Sequence, residues 1–600
     1  MCGIIGYVGY KDAPGVLIKG LKKLEYRGYD SAGVAVFHND KISIFKNKGK
    51  VSVLESKLSE VDLTGSTCGI GHTRWATHGE PSDINSHPHI GNRVVLVHNG
   101  IIENYLELKK YLVETRGCNV TSQTDTEIIA HLIDSFYNGD PINAIFEATT
   151  RLKGSFALGV LFTDRPGTIY AIRRDSPLII GVGKGENFIA SDIPAILPYT
   201  KDYYISEQDE IAVITKDNIE FITRDRVPST KELLKAAWDE QSAKKGGYEH
   251  YMLKEIYEQP KVIRDTIGRY KNGQELFPED KNELNIKGSL HIVACGSAMH
   301  AALLGKYAIE CMARIPVNVY IASEFRYQNP ILKKDDIVLA ISQSGETADT
   351  LAALRVAKEM GIKTIGLVNV WGSTLAREAD HVLYTCAGPE ISVATTKAYL
   401  CQVCVLYMLA LFLGKSKMPI KEYEQYVGEL DRLDKAISKM LDQSENYKFL
   451  ASKYMNAHDL FFIGRGQDYY LSLEGSLKLK EISYVHSEAY AAGELKHGTI
   501  SLITKGVPVV AIMTDRTRIL KTAANIKEVV SRGADVLCIT YADVDVDDFA
   551  HYKINVIDLC EFYAPILTTV ALQLFAYYVA VLKGNDVDKP RNLAKSVTVE

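Results

Sequence analysis

Little in this chain would tie it to nucleic acid, to an oxidising compartment or to a membrane. Its 600 residues carry a formal charge of −5 and no basic block. Phosphate neutralisation needs clustered lysine and arginine, so no nucleic-acid partner is expected. Ten cysteines at irregular spacing do not make a disulfide scaffold. The Cys-x-x-Cys at Cys401-Gln402-Val403-Cys404 lies in the apolar run Ala398–Leu413 without a second cysteine or histidine pair, and fits a buried helix face better than a metal or redox site. No charged leader followed by an apolar core opens the chain. Val403–Leu413 falls short of the roughly 20 residues that cross a bilayer. Ile566–Leu582 is longer, but contains Gln573 and two threonines behind Pro565. Both are expected to be buried helices of a reduced, cytoplasmic protein with no membrane partner. No Gly-Lys-Thr is present, which excludes a nucleotide P-loop, and no metal cluster is visible.

What remains is an ordinary globular composition, 46% hydrophobic and 24% charged, in a chain long enough for two to four domains. Residues 1–225 are strand-rich. Cys2–Gly9, Gly33–Phe37, Lys41–Asn47, Gly69–Arg74, Val94–Asn99 and Phe156–Phe162 are short apolar or alternating runs. Helical patterns at Tyr105–Thr115 and Thr124–Tyr137 lie between them, the second opened by Thr124 as N-cap with Glu127 three residues on. An α+β domain with sheets between helices follows. Thr230–Gly247 is charged, loses strand character and is the expected linker. A helix then begins at His250 and is expected to stop near Pro260.

The C-terminal half repeats itself at an offset of roughly 170 residues. Strands Leu290–Ala294, Ile337–Ile341 and Thr364–Val368 correspond to Leu460–Ile463, Val507–Met513 and Asp535–Ile539. Apolar helix Ala398–Leu413 corresponds to Thr568–Leu582. Each half alternates buried strands with helices, the pattern of a parallel sheet covered on both faces. Ligands of such sheets bind beyond the carboxyl ends of the strands.

The chemistry starts at Cys2. Excision of Met1 would leave a thiol and a free α-amine on one residue, with ordinary pKa values of about 8.5 and 7.7–8.0, so the amine can take the thiol proton near neutral pH. Three polar clusters follow: Gly71-His72-Thr73-Arg74-Trp75-Ala76-Thr77-His78-Gly79, His98-Asn99-Gly100, and Gln123-Thr124-Asp125-Thr126-Glu127. A thiolate attacking an amide needs oxyanion donors, which the Asn99 side chain and the Gly100 N–H can supply. An amino-acid substrate needs a fork for its carboxylate and a counter-charge for its amine, which Arg74 and Asp125 offer. Each has a plainer alternative: a chance cysteine, a surface ion pair at Arg74, a turn at Asn99-Gly100. In the second half, strand Ile337–Ile341 runs into Ser342-Gln343-Ser344-Gly345-Glu346-Thr347 and then a helix. Hydroxyls and backbone N–H groups at a helix N-terminus suit a phosphomonoester, and also an ordinary cap.

The first set of motifs closely resembles the N-terminal-nucleophile glutamine amidotransferase domain. The second resembles the sugar-phosphate isomerase (SIS) domain, in two copies. Val393-Ala394-Thr395-Thr396-Lys397, Gly475–Ile482, Ala491–Gly498 and the tail Pro590–Glu600 extend the likeness. From end to end the chain resembles the glucosamine-6-phosphate synthase family, the isomerizing glutamine–fructose-6-phosphate aminotransferases. That resemblance implies an amidotransferase domain with layered αββα architecture at 1–225, a linker and leading helix at 226–280, α/β SIS domains with parallel sheets at 281–430 and 431–589, and a catalytic tail at 590–600. It implies production of glucosamine 6-phosphate and glutamate from fructose 6-phosphate and glutamine, the first step of amino-sugar synthesis.

The family's roles carry over as follows. Cys2 is the nucleophile, and Asn99 and Gly100 hold the oxyanion. Arg74, Trp75, Thr77, His78 and Asp125 bind glutamine, with Trp75 also resembling a gate on an ammonia passage. Ser297, Ser342, Gln343, Ser344, Thr347, Val393 and Thr395 bind the sugar phosphate. Lys595 forms an imine with the open-chain ketose, Glu481 moves the proton between C1 and C2, His497 assists ring opening and Lys478 supports proton traffic. Alone, Lys595 is also a solvated tail residue and Glu481 a surface partner of Lys478 at i−3. His486 and His551 have no such support. No cofactor is implied, because ammonia is handed over directly, and a homodimer through the SIS domains is expected, with His497 serving the neighbouring subunit. Two departures stand out: Ala298 and Thr499 occupy positions where the family usually has serine and proline. The rival readings are a phosphoribosyl-diphosphate amidotransferase, which the SIS-like repeat disfavours, and a sugar-phosphate sensor that only binds, which has no need of Cys2, Glu481 and Lys595 at once.

Overall fold

The computed structural model describes residues 2–39, 41–236 and 245–598. They form two compact units, one of Met1–Lys244 with Ala594–Glu600 and the other of Lys245–Leu593. Excision of Met1, the middle of the expected linker and the last two residues of the tail lie outside the described residues.

In the first unit, side-chain alternation builds four layers. Ile4 and Val8 of strand Gly3–Val8 share the core between the two sheets with Val95 and Val97 of strand Val94–Ile102. Ile5 and Tyr7 take the opposite face and pack with Leu17 and Leu21 of helix Ala13–Leu24. Leu96, Phe156 and Leu158 do the same beneath helix Asp125–Phe136. The sheets are antiparallel, of eight and seven strands, and the expected αββα layering is what forms. Strand Gly3–Val8 pairs with strand Cys68–Arg74, Gly3 opposite Thr73, so Cys2 is delivered beside Arg74 and Trp75.

Two local expectations change and one is kept. Sheet pairing continues past residue 225: Pro228–Ser229 pairs with Phe221–Ile222, and Leu234–Lys235 with Asp202–Tyr203. Two-residue strands held by backbone bonds leave no hydrophobic pattern, which is why the charged segment looked like pure linker. The helix expected to stop near Pro260 does so, at Tyr257, and a second helix starts directly after it. Helix Tyr251–Tyr257 is followed by helix Gln259–Tyr270 with Pro260 in its first turn, where no N–H is needed. Thr124 caps its helix by accepting from the Glu127 N–H, but the Glu127 carboxylate turns instead to the N–H groups of Thr121 and Ser122.

The second unit holds two five-stranded parallel sheets. In the first, the order across the sheet is Val317–Ile321, Leu290–Ala294, Ile337–Ser342, Lys363–Val368, His381–Tyr384. In the second it is His486–Ala491, Asp459–Gly464, Pro508–Ile512, Asp535–Tyr541, Tyr552–Val556. Both follow the order 2-1-3-4-5, with a topological switch point between first and third strands. The repeat is kept in backbone detail. Gly296 and Gly466 open the following helices at φ 57° and 59°, and Arg314 and Tyr484 close them in the left-handed region at φ 55° and 60°.

The two apolar runs are helices Lys397–Gly414 and Ala564–Leu582, longer than the runs read from sequence and by length and composition long enough to cross a membrane. Both are mostly buried inside the unit, as core helices. Cys401 and Cys404 sit on the first; burial pushes the Cys401 thiol up to about 12 and the Cys404 thiol well above its ordinary value, leaving both inert.

Each apolar helix packs against a glycine of its partner. A Cβ on Gly305 would lie 2.9 Å from Leu406, and one on Gly475 would lie 2.9 Å from Leu572 and 3.0 Å from Phe462. Gly475→Val is expected to destabilise the second unit by about 1–3 kcal/mol through overpacking. Thermal unfolding followed by calorimetry reads this as a lowered transition for that unit; an unchanged transition would contradict the close packing.

Candidate active sites

In the first unit, the Cys2 thiol lies against the backbone of Trp75. The Trp75 N–H donates to Sγ at 3.3 Å, and Sγ lies 3.5 Å from the Trp75 carbonyl. Burial pushes the thiol above its ordinary value, so the resting site holds a thiol that needs a base, not a standing thiolate. The Asn99 amide nitrogen donates to the Cys2 carbonyl at 3.1 Å. Gly100 follows at φ 136°, and a Cβ there would sit 2.1 Å from the Ser155 carbonyl; only glycine fits. Asp125, the first residue of its helix, is buried and accepts from the Ile102 N–H at 2.9 Å. That bond ties it to the strand carrying Asn99.

Arg74 is buried, and its fork is turned onto the loop that follows, donating to the carbonyls of His78, Gly79 and Glu80. The sequence suggested a substrate carboxylate as its partner; here it shapes the loop carrying Thr77 and His78. Asp30 holds the other side of that loop, accepting from Ala76 N–H at 2.8 Å. Trp75 is half-buried, Thr77 exposed, and His78 stands edge-on to Tyr105.

Beneath this site lie four buried histidines with no role assigned from sequence. His72 stacks on His87 with centroids 3.9 Å apart, and His87 meets His89 edge-on at 5.0 Å. His98 Nδ1 lies 3.0 Å from the Thr126 hydroxyl. Burial holds all four below the ordinary imidazole value, His72 at about 3.

In the second unit the loop after strand Ile337–Ser342 forms a ring of hydroxyls. Ser342 Oγ lies 2.8 Å from Thr347 Oγ1 and 3.5 Å from Ser344 Oγ. It accepts from the Gly345 N–H at 3.0 Å, while Ser344 accepts from Glu346 N–H at 3.2 Å. Gly345, at φ 66°, would place a Cβ 2.1 Å from Ser373 Oγ, so the turn needs glycine. The N–H of Asn369 anchors Gln343 through its carbonyl. Val393 donates its N–H to Asp588, and Thr395 its hydroxyl to Glu390 at 2.6 Å.

Ser297, expected among the sugar contacts, donates to Glu474 at 2.9 Å. Glu474 is almost wholly buried, faces His300 Nδ1 at 2.8 Å, and stands 3.6 Å from Lys478, which in turn meets Glu481 at 2.5 Å. Burial alone would push the Lys478 ammonium down, but Glu481 and Glu474 outweigh it and hold it above its ordinary value. A Ser297–His300–Glu474–Lys478–Glu481 chain therefore stands near the first switch point, and its middle members were missed. Only their spacing at i−4 and i+3 around Lys478 hinted at it. His497 is exposed in the turn Glu494–His497. Lys595 is half-buried and belongs, with its segment, to the first unit. His486 is exposed beside Asp459, and His551 accepts from the Val536 N–H.

The second sheet's switch point is filled by the chain itself. Asp468, 170 positions after Ala298, accepts from Thr514 N–H at 2.8 Å, Thr514 Oγ1 at 2.5 Å and Asp515 N–H at 3.1 Å. Asp515 in turn accepts from Thr517 and pairs with Arg518.

A layered unit with Cys2 at the start of its first strand is followed by a duplicated parallel α/β module, and comparison with known proteins identifies both domains. A glutamine amidotransferase domain model matches residues 72–198, and a SIS domain model matches residues 283–412 and 453–583. The chain is 52% identical to the glutamine–fructose-6-phosphate aminotransferase (isomerizing) of Caldanaerobacter subterraneus subsp. tengcongensis and 45% identical to that of Thermus thermophilus, over 100% of both chains in each case. The solved C-terminal domain of glucosamine-fructose-6-phosphate aminotransferase from Francisella tularensis covers 58% of this chain and 99% of its own length at 37% identity and a TM-score of 0.56. The chain belongs to the isomerizing glutamine–fructose-6-phosphate aminotransferase family.

The histidine cluster has a thermodynamic consequence. An imidazole held at about 3 in the fold and near 6.5 when unfolded binds its proton only on unfolding between those values. Stability of the first unit is therefore expected to fall as pH drops from 6.5 towards 3. His72 alone accounts for at most about 4–5 kcal/mol. Calorimetry at pH 7 and pH 5 should show the first unit's transition moving down; a transition that holds its temperature would refute the buried, neutral cluster.

Proposed function

We infer that the chain makes glucosamine 6-phosphate and glutamate from fructose 6-phosphate and glutamine, the transfer and isomerisation that its full-length relatives are named for. The observation that carries this reading is Cys2, its thiol against the Trp75 N–H and its carbonyl on the Asn99 amide, in one unit, with a ring of hydroxyls at a helix N-terminus in the other.

Cys2, with Met1 removed, attacks the side-chain amide of glutamine while its own amine takes the thiol proton. The oxyanion is held by Asn99 Nδ2 and the Gly100 N–H. Ammonia leaves, and water then cleaves the thioester to glutamate. Asp125 meets the substrate amine, and Arg74 both forms the closing loop and meets the carboxylate. In the second unit Ser342, Ser344 and Thr347 hold the phosphate. Lys595 forms an imine at C2 of the open ketose, and ammonia displaces the lysine. Glu481 then carries a proton from C1 to C2, leaving an aldehyde at C1 and an amine at C2. Lys478, kept as an ammonium, holds Glu481 in place.

Two variants separate the half-reactions. Cys2→Ala should lose glutamine hydrolysis yet keep fructose 6-phosphate to glucose 6-phosphate isomerisation. Lys595→Arg should keep hydrolysis and lose synthesis, and borohydride with fructose 6-phosphate should label Lys595 in the wild type only. Hydrolysis surviving in the first variant, or label on another lysine, would overturn the corresponding role.

Ser344→Ala removes a donor to a charged acceptor, an interaction worth about 1.5–3 kcal/mol. The KM for fructose 6-phosphate should rise about 10- to 100-fold, with that for glutamine unchanged. An unchanged sugar KM would reject the phosphate site.

A further inference from the structure

An asparagine amide serves an oxyanion only when its nitrogen, not its oxygen, faces the reacting centre, and the shape of the amide does not decide which. Here two backbone carbonyls decide it. His72 Nε2 lies 2.9 Å from the His98 carbonyl oxygen. A carbonyl only accepts, so Nε2 carries the proton. The same Nε2 lies 3.1 Å from one terminal atom of Asn99, which must then be Oδ1. The other terminal atom lies 3.1 Å from the Cys2 carbonyl, again an acceptor only, and must be Nδ2. A flipped amide would set Oδ1 against the Cys2 carbonyl and leave Nδ2 facing an N–H.

We propose that His72 is a positioning residue for glutamine hydrolysis: its Nε2–H grips Asn99 Oδ1 and so turns the Asn99 amide nitrogen towards the developing oxyanion. This rests on the reading of Asn99 as an oxyanion donor given above. The ring that does it is itself fixed. His72 is wholly buried and lies flat on His87 at 3.9 Å and 11°. His87 is held in turn, its Nδ1 accepting from the His98 N–H at 3.3 Å and its Nε2 lying 3.3 Å from the Thr126 hydroxyl. His72 Nδ1 is buried with no hydrogen-bond partner among the described residues, as suits an unprotonated nitrogen. Burial favours the neutral imidazole, and the His98 carbonyl selects its Nε2–H tautomer. Gly71-His72-Thr73-Arg74 thus contributes to both ends of the site, Arg74 to the loop and His72 to the oxyanion donor.

The test separates orientation from structure. His72→Leu removes the donor and keeps buried volume; glutaminase kcat is expected to fall about 10- to 100-fold with little change in KM, less than the about 10²- to 10³-fold loss typical of deleting an oxyanion donor outright. His72→Gln, which restores an N–H donor, should recover most of the rate. Alkylation of Cys2 by iodoacetamide attacks a saturated carbon and builds no oxyanion, so its rate should match wild type in both variants. In an Asn99→Ala background His72→Leu should cost nothing further. Where leucine fails to pack, His72→Phe, a flat ring without the donor, replaces it. Wild-type hydrolysis in His72→Leu or His72→Phe, an equal slowing of alkylation, or losses that multiply with Asn99→Ala would overturn the proposal. Full hydrolysis in Asn99→Ala would instead remove the oxyanion reading on which it rests.

Discussion

A parallel sheet requires a crossover after every strand, and this puts all the carboxyl ends on one rim. The architecture of the second unit follows from that requirement. With the order 2-1-3-4-5, the crossovers on either side of the first strand leave in opposite directions and open a crevice at its end. Ser342, Ser344 and Thr347 stand at that crevice because strand Ile337–Ser342 ends there. Gly345 lets the chain turn back so that its hydroxyls face one another. The crossover helix after each first strand lies close to the apolar helix that follows the last strand, and the glycines at 305 and 475 are what that closeness requires.

Within that frame one buried carboxylate binds the parts together. Glu474 links Ser297 and His300 of one helix to Lys478 of another. A buried charge is costly unless paired and hydrogen-bonded, and Glu474 has both kinds of partner. The price of its burial is met only while the two helices keep their register, so the ion network also fixes where Glu481 stands. In the first unit the corresponding task falls to neutral groups. Four imidazoles fill the space under the Asn99 strand, and their tautomers, not their charges, carry the information.

Much of this was legible in sequence wherever chemistry required a particular residue at a particular place. A cysteine at position 2 and a Ser-x-Ser-Gly-x-Thr before a helix each name a local geometry that the structure contains, whereas Asn99-Gly100, expected to end its strand, lies inside strand Val94–Ile102. The offset of the repeat predicted both parallel sheets. What could not be read were partners chosen by the fold. The resemblance made Ser297 a sugar contact, and nothing in its local sequence announced that its hydroxyl donates to Glu474 from the other half of the repeat. Arg74 looked free to meet a substrate, yet three carbonyls of its own loop engage it. His72 was one polar residue among several until the carbonyl of His98 settled which of its nitrogens bears hydrogen. Leu234–Lys235 joined a sheet through backbone groups, which leave no trace in side-chain pattern.

The filled second crevice carries a consequence for counting. The duplicated half kept the turn at Gly466 and the left-handed helix ends, and at its crevice Asp468 and Asp515 are engaged by Thr514, Asp515 and Thr517 of the chain itself. On the proposed reading of the hydroxyl ring at Ser342, Ser344 and Thr347, one sugar phosphate per polypeptide is the expected stoichiometry.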